Sequence, residues 1–121
     1  MKEETKEWLA KAKNELRAAE YNLNANFFEV SAFYFQQSVE KALKALQIEK
    51  LGKFDRIHSL EMLAKSVKAP KNILKACEFL SPFYVTTRYP NQKAISNKNK
   101  VVKALKLAKE AIKWVSLELR S

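Results

Sequence analysis

The sequence predicts an all-α fold, an up-and-down four-helix bundle with one short additional helix. Three observations carry this. Glycine occurs once and proline three times in 121 residues. Ala, Leu, Lys and Glu dominate, a composition that favours helix. Apolar residues recur at spacings of three and four along most of the chain. Hairpins and glycine-rich phosphate loops need glycine at positive φ, so an all-β fold and a P-loop are close to excluded. A chain of this length reads as one domain, residues 1–121. It buries roughly two thirds of its unfolded-chain surface around a single core.

The first helix is expected from Glu3 to Leu23, with Leu9, Ala12, Leu16, Ala19 and Leu23 on one face. Glu3, Glu4 and Glu7 suit its dipole. NLNAN, residues 22–26, turns the chain. The second helix runs from Phe28 to Leu51, and Gly52 is its C-terminal cap. Its first half is apolar nearly all round, which predicts the central helix of the core. Its second half, EKALKALQIEK, reads as amphipathic, with Lys41 and Lys44 on the polar side. A short helix follows from Ser59 to Val67. Pro70 opens the next helix, which carries Ile73, Cys77 and Leu80, and Pro82 kinks or ends it. After the polar stretch NQKAISNKNK, the last helix starts near Asn97. Its stripe is Val101, Leu105, Ala108, Ile112, Val115 and Leu119, broadened by Val102, Ala111 and Trp114.

Charge is unevenly placed. The net charge is +10, from 23 basic and 13 acidic residues. Residues 1–60 hold 10 basic against 9 acidic residues, whereas residues 61–121 hold 13 against 4. Such asymmetry points to a polyanion such as RNA, DNA or a nucleotide, or to a lysine-coated surface that meets only water. Cys77 is the only cysteine, which excludes an internal disulfide and fits a cytoplasmic location. MKEETKEW is followed by no apolar run, which argues against a signal peptide. No stretch approaches the roughly 18 apolar residues of a membrane span. One His and one Cys are too few soft ligands for zinc, so no metal or cofactor is expected.

Three stretches invite chemistry. In YFQQSVEKALKAL, Gln36 and Gln37 interrupt an apolar helix, and a buried glutamine must find hydrogen bonds. Gln37 then orients a ligand or neighbour, or ties a loop down. In RIHS, His58 sits ahead of the short helix, as a site residue or as packing. In RYP, Arg88 offers a planar fork that matches phosphate, and Tyr89 adds a hydroxyl and a stacking face. The alternative for Arg88 is an ion pair with Glu40.

AFYFQQSVEKALKALQIEK, then HSLEMLAK, then FYVTTRYPN and a long final helix together resemble the HEPN domain (higher eukaryotes and prokaryotes nucleotide-binding), in an RYP-containing form. The resemblance spans Trp8 to Leu119. It implies an up-and-down four-helix bundle with a short extra helix, often a homodimer. It also implies a minimal nucleotidyltransferase as partner, in a toxin–antitoxin-like pair. Ribonuclease branches carry an Arg-x4–6-His motif. Arg88 falls at its arginine, but positions 93 to 95 are Lys93, Ala94 and Ile95, so the histidine is missing. The expected function is therefore a non-catalytic nucleotide- or nucleic-acid-binding module. Its expected site is Arg88, Tyr89, Gln37 and His58 within a field from Lys41, Lys93, Lys98 and Lys100. A ribonuclease toxin that recruits His58 and a purely structural interaction domain are the alternatives.

Overall fold

The computed structural model describes residues 1–86 and 97–121. Its helices are α1 (Glu3–Asn24), α2 (Phe28–Leu51), α3 (Leu60–Ser66), α4 (Lys71–Leu80), α5 (Phe83–Thr86) and α6 (Lys98–Arg120). The described residues contain no strand. α1, α2, α4 and α6 are the long helices of the bundle, and α3 is the short one. α5 is the extra turn beyond Pro82. No described helix is long and apolar enough to cross a membrane.

Local chemistry sets most boundaries. Asn26 takes the left-handed φ of 65° that reverses the chain after α1, a conformation asparagine tolerates better than most residues. Ser59 caps α3 through the Met62 N–H, and Asn97 caps α6 through the Asn99 N–H. α1 has no side-chain cap of its own. Glu49 of α2 serves instead, accepting from the Lys2 N–H and the Thr5 hydroxyl, each at 3.0 Å. Those two bonds hold its carboxyl below the usual value. Their stabilising effect is present above the ordinary carboxylate pKa and is lost as pH falls through the lowered one.

α2 packs against every other helix. Phe35, Val39, Leu43 and Leu46 form its core stripe. They meet Ala12, Ala19 and Leu23 of α1, Leu60 and Leu63 of α3, Ile73 and Leu80 of α4, and Val101, Ala108 and Val115 of α6. The small side chains of α1 and α6 bring those backbones close.

Two expectations change here. The second half of α2, not the first, is the buried half, since every residue from 42 to 48 is buried. Lys44 is therefore inside, 5% exposed, and Lys41 is half-buried rather than on a solvated face. The reason is coverage: α3 and the 52–59 loop fold over this half. The aromatic first half leaves Phe27 and Val30 exposed instead. On α6, Val102 faces solvent and Ala104 takes the inward position.

Cys77 is fully buried, and burial, with the nearby Glu61 and Glu78 charges, pushes its thiol up to about 12. It stays protonated and inert in the folded state. Gly52 ends α2 at a φ of 79°, and a Cβ there would meet nothing within 4 Å. The cost of Gly52→Ala is therefore backbone strain alone, and urea titration should show a loss of about 1 kcal/mol.

Candidate functional site

Residues 36, 40, 44 and 47 lie one turn apart on one face of α2, the face turned to the 52–59 loop. All four are polar and all four are buried: Gln36, Glu40, Lys44 and Gln47. Burial of polar atoms is tolerable only when each finds a partner, and here each does. Glu40 is the centre. Its carboxylate accepts from Lys44 Nζ at 3.0 Å, from Gln36 Nε2 at 3.1 Å and from His58 Nδ1 at 3.0 Å. Three donors thus already serve Glu40. The alternative pairing of Arg88 with it lies outside the described residues.

The network continues along the helix. Gln37 Nε2 donates to Gln36 Oε1 at 2.7 Å, and Lys41 Nζ donates to Gln37 Oε1 at 3.1 Å. Lys41 also pairs with Glu15 of α1 at 2.6 Å. The two amides thus bridge an ammonium and a carboxylate, and each has only one orientation that satisfies both neighbours. Gln36 also donates to the His58 carbonyl at 3.3 Å. Tying down the loop falls mainly to Gln47, which exchanges bonds with the Asp55 backbone and side chain and donates to Ser66.

His58 is held on two sides. A carboxylate only accepts, so Nδ1 donates to Glu40, and in the neutral ring Nε2 keeps a free lone pair. The ring stacks on Tyr84 of α5, centroids 4.0 Å apart and planes 14° apart. Its side chain remains 49% exposed. It opens on a cleft of about 310 Å³, lined also by Ser59, Glu61, Ser81, Tyr84 and Val85. One oxygen of Glu61 is buried without a hydrogen-bond partner.

Of the sequence-derived site residues, Gln37, Lys41 and His58 belong to one hydrogen-bonded network. Lys98 and Lys100 are exposed on the first turn of α6, with Lys100 Nζ 5.8 Å from the Phe83 ring, next to Tyr84. Arg88, Tyr89 and Lys93 lie outside the described residues. The sequence reading missed Gln36 as a bridge, Glu40 as the partner of His58, Lys44 as its buried counter-charge, and Gln47 and Tyr84 altogether. The signal for three of them was present as Gln36, Glu40 and Lys44 at successive i, i+4 positions. Among the described residues no three His, Cys, Asp or Glu side chains gather as a metal site would require.

Removing Glu40 leaves the Lys44 ammonium buried without its counter-charge. Glu40→Ala should cost about 3–5 kcal/mol in urea unfolding. Glu40→Ala with Lys44→Met removes both charges and should recover most of that loss.

A family model for the HEPN domain matches residues 5–119. Two solved structures share 26% identity with the chain. TT1696 from Thermus thermophilus aligns over 95% of this chain and 98% of its own with a TM-score of 0.86. ST0689, described as an archaeal HEPN homologue, aligns over 98% and 99% with a TM-score of 0.80. A HEPN domain protein from Thermotoga maritima, TM0613, shares the fold at 18% identity and a TM-score of 0.76, over 94% and 98%. No curated protein matches the chain. With nearly its whole length covered by the family model, the chain belongs to the HEPN domain family.

Proposed function

We propose that this HEPN domain is a non-catalytic nucleotide- or nucleic-acid-binding module. The observation that carries the reading is the outer surface of α6. This helix holds seven basic residues against two acidic ones. Lys98, Lys100, Lys103, Lys106, Lys109, Lys113 and Arg120 are all exposed. Among the described residues only Lys109 of these reaches a carboxylate, Glu20 at 3.4 Å. Lys100 and Lys103 also lie over the rings of Phe83 in α5 and Phe79 in α4. Ammonium groups in a row match a phosphate backbone, whose binding is driven by counterion release. His58, together with Arg88, Tyr89 and Lys93 from the stretch that joins α5 to α6 in the chain, completes the proposed site.

In this reading the module works as a homodimer or beside a minimal nucleotidyltransferase, as in a toxin–antitoxin pair. Support for a protein partner comes from Phe27 and Val30, which stand 60% and 44% exposed at the start of α2. Apolar side chains grouped on a surface mark such contacts. Sedimentation should give twice the mass of one chain or a complex with the transferase, and a strict monomer in both experiments removes this part.

The binding itself is checked by titrating a labelled single-stranded RNA at rising salt. Contact with about four phosphates gives a slope near −3 in log K against log salt. Lys103→Glu with Lys106→Glu should weaken binding more than tenfold and flatten the slope. A salt-independent interaction, or none with RNA, DNA or nucleotides, overturns the reading.

A second reading, a ribonuclease, has one specific observation in its favour: His58, held through Nδ1 by Glu40, lines an open cleft, where a general acid or base would sit. The wild-type chain incubated with RNA should then cleave it, and His58→Asn and Arg88→Ala should not. Intact RNA in all three samples leaves the non-catalytic reading.

A further inference from the structure

A separate groove, which His58 does not line, runs between α1 and α2. Its wider part, about 670 Å³, is lined by Lys11, Asn14, Glu15, Arg17 and Tyr34. Lys11 also lines the adjoining hollow of about 390 Å³, together with Glu7, Trp8 and Lys41. The volume lies within the usual range for small-molecule sites. The groups around it are chemically distinct and fall into three kinds.

The first kind is cationic. Lys11 and Arg17 are both exposed, and neither is paired with a carboxylate among the described residues. Arg17 donates to Asn14 Oδ1 at 2.9 Å, which turns its guanidinium back along α1 towards Lys11. The second kind is aromatic: Tyr34 is half-buried and lines the groove, its ring edge-packed with that of Phe33 at 6.0 Å. The third is an acceptor. Glu15 is buried and both its oxygens face Lys41 Nζ, at 2.6 and 3.0 Å. A carboxylate with that single donor keeps lone pairs for hydroxyl groups.

We propose that this groove binds a ribonucleoside phosphate, either free or as the 5′-phosphorylated end of an RNA chain. Lys11 and Arg17 take the phosphate, Tyr34 takes the base on its face, and Glu15 accepts from the ribose hydroxyls. A carboxylate on the ribose is a familiar way to hold it, and ring stacking is tolerant of base identity. Glu15 is positioned for this by Lys41, and Lys41 in turn by Gln37. The buried network of α2 thus holds one wall of the groove. The proposal extends the nucleotide-binding reading to a site that shares no residue with the α6 face, so the two fail separately.

The test uses the full chain with AMP as the probe, followed by calorimetry and by tyrosine and tryptophan fluorescence. Saturable binding is expected at micromolar to millimolar AMP. Lys11→Ala with Arg17→Ala should weaken it at least tenfold, and Tyr34→Leu should weaken it several-fold. The double variant should melt as the wild type does, because Lys11 and Arg17 are exposed. Deoxy-AMP should bind several-fold less tightly than AMP. A 5′-phosphorylated RNA hexamer that competes tenfold better than AMP assigns the site to RNA ends, and equal competition assigns it to free nucleotides. No saturable AMP binding at millimolar concentration, or binding unchanged in the double variant, overturns the proposal. AMP binding that survives Lys103→Glu with Lys106→Glu, while RNA binding is lost, separates this groove from the α6 face.

Discussion

Glu40 is a carboxylate with 4% of its surface exposed, in the middle of the most buried helix. Leaving such a charge unpaired in a low-dielectric interior costs several kcal/mol. Everything around it can be understood as an answer to that cost. Lys44 supplies the counter-charge from the next turn, and Gln36 supplies an amide donor from the turn before. The third donor comes from outside the helix. His58 reaches Glu40 only if the loop after Gly52 folds back over the second half of α2. The need for a third donor therefore fixes the path of that loop, with Gln47 and Asp55 as its second anchor. The path of the loop then sets where α3 begins and where α5 packs against the imidazole.

The same requirement orders the two glutamines. An amide can be turned over without loss in most surroundings, because its oxygen and nitrogen are nearly the same shape. Between Lys41, which can only donate, and Glu40, which can only accept, the pair has one consistent arrangement. Each bond in such a chain polarises the next. The Lys41–Glu15 pair at the end of this polar row specifies one packing of α1 against α2 more sharply than apolar contacts would, because a slipped register leaves Lys41 without Glu15.

The helices and their order were legible because periodicity reports burial directly. Ser59, Asn97 and Gly52 marked ends, and the structure uses all three as caps. The second half of α2 shows where periodicity runs out. FFEVSAFYF looks more apolar than EKALKALQIEK, and so it reads as the core. Burial of the second segment depends on a loop and a short helix that come later in the chain, and on polar side chains that satisfy one another. No local window contains that information. The candidate site divides in the same way. His58 and Gln37 stand out by residue type, but their connection runs through Glu40, which the sequence offers only as an alternative partner for Arg88. Tyr84 was invisible because its stacking on His58 joins two residues from distant parts of the chain.

The contrast between the two halves of the chain follows from this architecture. In residues 1–60 acidic and basic residues nearly balance, and the pairs that matter are inside: Glu15 with Lys41, and Glu40 with Lys44. Those charges are used up in holding the helices together and project little field. In residues 61–121 the excess is basic and its larger share lies on exposed turns of α6, where among the described residues only Lys109 of the helix's basic groups finds a carboxylate. Exposed lysines that satisfy nothing contribute little to stability, since even paired surface charges are worth at most about 1 kcal/mol. They do create a potential that extends about 10 Å into solution at moderate salt. The excess charge is thus a property of the surface, while the balanced charge is a property of the fold. A charge reversal at Lys103 and Lys106 leaves the buried pairs intact, whereas removing the Glu40 charge breaks one of them.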